Sequence, residues 1–234
     1  MKRATTGARA STEPEQAAAR RARARKIDRA LADAYPDAWC ALRHDNAWQL
    51  LVATILSAQC TDERVNMVTP ALFARFPTPA ALATADPREL EELIHSTGFF
   101  RQKAKSLLGV AAAIASDFAG ELPRDLETLV TLPGIGRKTA NVVLGTAHGV
   151  PAIVVDTHVR RLANRLGLTA EEDPTKIEMN LRDLLPPASW TQFTHRLIHH
   201  GRRVCHARKP RCQECPLTAW CPRIGVPDPV KSAT

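Results

Sequence analysis

Apolar residues recur at helical spacing along almost the whole chain, and this pattern limits its fold more than any other feature. Trp48, Leu51, Val52, Ile55 and Leu56 fall at i, i+3, i+4, i+7 and i+8, positions that share one face of a 3.6-residue helix. The same spacing predicts further helices over about 26–34, 64–74, 87–96, 101–118, 125–131, 137–147, 157–165, 174–184 and 189–202. Pro36, Pro77, Pro87, Gly98, Pro123, Gly149, Pro174 and Pro186 punctuate them, as helix breakers do. Strand-like alternation is scarce. Pro151 through Val155 is one β-prone run between two helices, and an extended crossover between domains is a natural use for it. The expected fold class is all-α with short connections.

With 234 residues, the chain can bury one large core or two small ones without disulfide staples. No stretch approaches the roughly 18 consecutive apolar residues of a membrane span, so no membrane association is expected.

The net charge of +8 is concentrated at the ends: residues 1–29 carry +6, residues 202–223 carry +5, and the middle, 30–201, carries −3. Such segregation suits a surface that meets a polyanion. For residues 1–25 the competing reading is a basic, disordered tail, and a second tail is expected over 224–234. The N-terminal segment lacks the apolar stretch of a secretory signal, and Glu13, Pro14 and Glu15 fit an arginine-rich transit peptide poorly. The expected location is therefore cytoplasmic, where thiols stay reduced unless they bind metal.

The segment from Asp125 to Ala147 reads DLETLVTLPGIGRKTANVVLGTA. One helix breaks at Pro133, the chain turns through Gly134, Ile135 and Gly136, and a second helix resumes near Arg137. Glycines free such a turn of Cβ atoms, so N–H groups at the helix start can cradle a phosphate. Leu132 and Ile135 would pin the hairpin to the core. A glycine pair alone serves equally well as an ordinary interhelical turn. Lys138 follows at the start of the second helix. An ordinary lysine with a pKa near ~10.4 is only about 0.1% neutral near neutral pH, a handicap of roughly 4 kcal/mol for a nucleophile. The helix N-terminus, neighbouring Arg137 and partial desolvation in a cleft would all reduce it; phosphate contact alone is the plainer role. Downstream, Asp156 follows an apolar run and precedes Thr157 and His158, a position suited to a helix N-cap.

Cys205, Cys212, Cys215 and Cys221 show the spacing C-x6-C-x2-C-x5-C. Four thiols within seventeen residues point to a metal site rather than a disulfide framework, and the spacing alone suits zinc and an iron–sulfur cluster equally. Between the first two lie Arg208, Lys209 and Arg211, cations whose loop would be pinned for phosphate contact. Cys40 and Cys60 read as small buried or half-buried residues, and His199 and His200 as core or surface residues rather than ligands.

Three of these motifs together, LPGIGRKTA, the VVDTHV that holds Asp156, and the cysteine spacing, resemble the endonuclease III family of helix–hairpin–helix DNA glycosylases. The resemblance runs from about Lys26 to Pro222. It implies a nucleophilic Lys138, a catalytic Asp156 and a 4Fe-4S cluster on the four cysteines. LSAQCTD matches the family loop whose glutamine fills the gap left by an extruded base, which nominates Gln59. STGFF, followed by Lys103-Ala104, places Phe99 where the family often has leucine as a second wedge. Val130 stands where some relatives carry a glutamate in the lesion pocket. The implied DNA contacts are Gln59, Phe99, Leu132, Gly134, Ile135, Gly136, Arg137, His158, Arg208, Lys209 and Arg211.

The implied architecture has two lobes with DNA in the cleft between them. A six-helix barrel with the hairpin would occupy 41–150, and an iron–sulfur domain 26–40 plus 151–223. The implied activity is base excision repair: removal of damaged pyrimidines through a lysine Schiff base, then β-elimination at the abasic site. The implied partner is damaged or abasic double-stranded DNA, bound by a monomer in the cytoplasm at the nucleoid. Two rivals remain at this stage. An adenine mismatch glycosylase shares the cluster and the aspartate but typically lacks the lysine; a non-catalytic module would use the hairpin and a zinc site.

Overall fold

The computed structural model describes residues 13–226. Among them the regular structure is entirely helical, in agreement with the all-α expectation. The helices are α1 (Glu13–Ala34), α2 (Ala47–Leu56), α3 (Asp62–Arg75), α4 (Pro79–Ala83), α5 (Pro87–Ile94), α6 (Phe100–Asp117), α7 (Leu126–Leu129), α8 (Arg137–Ala147), α9 (Thr157–Arg165), α10 (Pro174–Leu184) and α11 (Trp190–Arg203). No helix of the described residues is long and apolar enough to cross a membrane.

Local chemistry sets most of the starts. The Asn46 side chain accepts from the Gln49 amide at 2.9 Å to cap α2, and Asp173 does the same for α10 through the Lys176 amide. Pro174 and Pro87 open their helices, where a missing N–H costs nothing. The short α4 escapes the periodicity because five residues cannot show it.

The N-terminal disorder expected through residue 25 is corrected from Glu13 onward, because α1 begins there. Ala24, Ile27 and Leu31, at i, i+3 and i+7, are completely buried, and Arg23 donates to the Gly167 carbonyl. Alanine and arginine are both strong helix formers, so one buried stripe suffices to order a segment whose composition alone suggests a solvated tail. Residues 1–12 and 227–234, which hold the rest of both expected tails, lie outside the described residues.

Two separate hydrophobic cores form. The first is built on α2 to α8, with Leu50, Leu51, Leu56 and Leu107 fully buried; burying each such side chain contributes about 1.5–3 kcal/mol. The second gathers α1, α9, α10, α11 and Leu217. The chain crosses between them along the non-helical strap 151–156: Ala152 packs in the first core and Ile153 in the second. At the seam Gly145 of α8 lies so close to α11 that an added Cβ would sit 2.9 Å from Thr191 Oγ1. Thr191 in turn meets both backbone groups of Ala152, accepting from its N–H at 3.3 Å and donating to its carbonyl at 3.4 Å.

Candidate active site

The hairpin turn is built as its glycines require. Gly134 adopts φ +76°, and a Cβ there would press on Ser106 at 3.1 Å, whereas Gly136 has open space where a Cβ would project. Gly136 is the cap residue of α8 and supplies no side-chain hydrogen bond, so the first amides of the helix face outward. Leu132 and Ile135 are each 5% exposed. Their side chains pin the hairpin to the first core, as expected.

Arg137 has a partner that its sequence neighbourhood does not show. Its guanidinium binds both oxygens of Glu178 on α10 through Nε and Nη2, at 2.7 and 2.8 Å, while its side chain stays 37% exposed. Glu178 is 4% exposed; it also accepts from Asn141 at 3.1 Å and pairs with Arg182 at 3.5 Å. Arg137 and Asn141 lie four residues apart on one face of α8, and Asn141 donates further to the Ile153 carbonyl of the strap at 3.0 Å. A buried polar net therefore ties the hairpin helix to α10 and to the segment that delivers Asp156. Lys138, one residue from Arg137, points to the other side and is exposed. The desolvation expected from a cleft is not supplied by the protein alone.

Asp156 caps α9 through the Val159 amide at 2.8 Å, as its position suggests, and is half-buried. His158 is half-buried beside it. Burial pushes the imidazole below its ordinary pKa; Asp156 opposes that shift, while Arg161 and Arg202 reinforce it.

Gln59 and Phe99, the two wedge candidates, are exposed, Phe99 by 66%. Both adopt left-handed backbone, with φ 52° and 47°, a conformation that non-glycine residues hold only where the surroundings impose it. Val130 is an exposed apolar residue just before the turn.

The four cysteines line one cavity together with Leu162, Leu166, Val204 and Pro210. Among the described residues no group of three or more His, Cys, Asp or Glu is arranged to hold a single metal ion. Four sulfur donors around an apolar cavity fit an iron–sulfur cluster. Two arginines of α9, four residues apart, brace this loop. Arg161 donates to the Gly201 and Cys205 carbonyls at 3.1 and 2.9 Å. Arg165 donates to the His206 and Ala207 carbonyls at 2.7 and 2.6 Å and approaches Cys205 Sγ at 3.4 Å. Buried His200, its pKa pushed down to about 4 by burial, is neutral. Tyr35 Oη lies 2.9 Å from its Nδ1 and Cys215 Sγ lies 3.5 Å from its Nε2, which fits a hydroxyl donating to Nδ1 and a protonated Nε2 facing sulfur.

His199 reaches the Trp39 carbonyl at 3.2 Å. Cys40 and Cys60 are half-buried and free. Arg208, Lys209 and Arg211 are exposed, and Arg211 also meets Glu214 and the Arg203 carbonyl within its own loop.

Residues 52–187 match the family described as HhH-GPD superfamily base excision DNA repair protein, and residues 205–221, which run from the first of the four cysteines to the last, match the iron–sulfur binding domain of endonuclease III. Endonuclease III of Synechocystis sp. is 56% identical over 206 residues, 88% of this chain and 94% of that protein. That of Bacillus subtilis is 46% identical over 82% of this chain and 88% of its own. The chain belongs to the endonuclease III family. A solved endonuclease III trapped as a covalent intermediate with DNA superposes with a TM-score of 0.83 at 42% identity, covering 87% of this chain and 96% of that one. A non-covalent endonuclease III–DNA complex superposes equally well, at 43% identity over 87% and 95%. The family makes the chain a base excision repair DNA glycosylase with abasic-site lyase activity, carrying a 4Fe-4S cluster.

Proposed function

We propose that this glycosylase removes damaged pyrimidines from duplex DNA and cleaves the resulting abasic strand with Lys138 as nucleophile and Asp156 as its catalytic carboxylate. The reading is carried by one arrangement: an exposed lysine at the mouth of a phosphate-cradling hairpin, on a helix whose Asn141 holds the strap that ends in Asp156. Outward amides of α8 take a phosphate of the backbone. The damaged nucleotide leaves the stack at a cost of a few kcal/mol, with Gln59 and Phe99 filling the space.

The Lys138 amine attacks C1′. The new N–C1′ bond forms as the glycosidic bond breaks, and the base departs with a proton. Asp156 stabilises the positive charge that builds on the sugar and accepts the proton that the Lys138 nitrogen sheds once it has bonded to C1′. The C1′–O4′ bond then opens and O4′ takes up a proton, leaving an iminium that acidifies C2′–H; as that proton leaves, a C2′–C3′ double bond forms, the C3′–O bond breaks and the 3′ phosphate departs.

Cys205, Cys212, Cys215 and Cys221 are the ligands of the cluster, which when bound fixes the loop by iron–sulfur bonds. Arg208 and Lys209, free of ion pairs, then meet phosphates at little entropic cost. The protein acts as a cytoplasmic monomer in two lobes, 41–150 and 26–40 plus 151–223, with DNA between them. An adenine mismatch reading is disfavoured by the presence of Lys138.

Borohydride reduction in the presence of oxidised-pyrimidine duplex tests the assignment. The wild-type chain becomes covalently trapped, while Lys138→Gln binds the duplex but traps and cleaves at least ~10³-fold less. Trapping by Lys138→Gln at the wild-type level would remove the nucleophile assignment.

A further inference from the structure

The segments carrying Gln59 and Phe99 are forty residues apart in sequence, yet one buried side chain holds both. Lys103, in the first turn of α6, is 5% exposed. Its Nζ donates to the Leu56 carbonyl at 2.7 Å and to the Thr97 carbonyl at 2.8 Å. Leu56 ends α2, and Thr97 ends a single 3-10 turn, His95–Thr97. Carbonyls at helix ends lack intrahelical donors and carry the negative end of the helix dipole. An ammonium satisfies both at once. Gln59 lies three residues past the first of these ends and Phe99 two past the second, and each holds the left-handed backbone described above.

A lysine is a costly way to fill this space. Burial pushes its pKa below the ordinary lysine value, with only Cys60 opposing the shift, and an apolar side chain of the same length would avoid that penalty. What the ammonium adds, beyond the apolar packing that α2, α5 and α6 share, is a direct polar link between the ends of the two segments.

We propose that Lys103 is a positioning residue that clamps the two DNA-inserting loops in a single geometry, so that Gln59 and Phe99 enter the duplex at a preset spacing. The proposal rests on the reading of Gln59 and Phe99 as wedges. Pre-organisation of this kind lowers the ordering cost of binding and matters most for the step that opens the stack.

The test compares two substrates. One is a lesion duplex with 2-aminopurine beside the lesion, which must be unstacked; the other is a single-stranded abasic oligonucleotide, which has no stack to enter. Lys103→Met loses the 2-aminopurine signal and falls about 10- to 100-fold in kcat on the duplex, while β-elimination on the single strand stays within about twofold. The double variant Gln59→Ala, Phe99→Ala shows the same split. If the double variant splits the substrates and Lys103→Met does not, the clamp is overturned and the wedges stand. If the double variant excises like wild type, the wedge reading fails and the clamp with it. Equal loss on both substrates by Lys103→Met, with cluster absorbance and melting temperature unchanged, also overturns the clamp. Should Lys103→Met not fold, hydrogen exchange in the wild-type chain decides: a shared clamp makes amides 58–60 and 98–100 open with one common free energy, and opening constants that differ by about tenfold or more overturn it.

Discussion

The two cores are held together by different physics, and the division follows what each must present. The first core is nearly all apolar, and the polar side chains buried in or beside it are few; Thr54, Thr97, Lys103 and Asn141 are each hydrogen-bonded. The second buries Arg165, Glu178, Thr194, His195 and His200 and ends in a loop, 205–221, in which Leu217 is the one fully buried apolar residue among those described. A segment with so little apolar surface cannot order itself by burial. Metal bonds do that work at the C-terminal loop, while the hairpin that carries Lys138 relies on Leu132 and Ile135.

The largest expected effect tests this division directly. If Cys212 is a cluster ligand as proposed, Cys212→Ser should cost the second core at least about 4 kcal/mol, because metal binding there is folding free energy. The first core should survive. Calorimetry should therefore resolve a transition near the wild-type temperature and a second one displaced far below it, with the absorbance near 400 nm lost. A single transition at the wild-type temperature would show that the loop is ordered without the cluster.

The same division explains what was legible in the sequence. Local strings were: the helix cap at Asp156, the glycine hairpin, and the cysteine spacing each carry their structural cause within a few residues. Long-range polar pairs were not. Glu178 sits in α10 beside the apolar Ile177 and Leu181, and nothing near it announces that Arg137, forty-one residues earlier, will claim both its oxygens. Arg161 and Arg165 offered a weak signal, two arginines at i and i+4 in a helix with buried Leu162 and Leu166, one of them deep enough to need partners. The front half of α1 was hidden for the same reason, since its order comes from contacts with residues such as Gly167. The exposure of Lys138 follows from the direction α8 takes after the turn, which spacing does not determine.

An intermediate effect probes the seam. His195 of α11 faces Thr146 of α8, with Nε2 3.4 Å from the hydroxyl, and stacks near Trp39 at 5.3 Å. Burial, with a smaller push from His199, lowers its pKa from 6.5 to about 4. In the unfolded chain the imidazole takes up a proton below pH 6.5, whereas in the folded chain it does so only near pH 4. Its contribution to stability is thus complete above pH 6.5 and is lost as pH falls toward 4. Between pH 7 and 5 the loss should be about 2 kcal/mol. Urea titrations of wild type and His195→Asn at both pH values check this. The variant is less stable at pH 7 but loses less on acidification, and parallel losses in the two proteins would place the acid sensitivity elsewhere.

The smallest effect concerns the link that makes two cores one enzyme. Glu178→Gln keeps the shape of the side chain and removes its charge, leaving the Arg137 guanidinium with one weaker acceptor. Breaking a buried ion pair can cost 3–5 kcal/mol when the remaining charge is sealed from water. Here the Arg137 side chain is 37% exposed and can recruit water, so a loss of about 1–2 kcal/mol is expected. The informative readout is cooperativity rather than magnitude. Glu178 is held from α8 by Arg137 and Asn141 and from its own helix by Arg182, so weakening it loosens the first core from the second without altering either interior. The denaturant slope should fall and the transitions reported by Trp48, in the first core, and Trp190, in the second, should separate. Coincident transitions with an unchanged slope would assign the coupling to the apolar seam at Gly145, Ala152 and Thr191 instead.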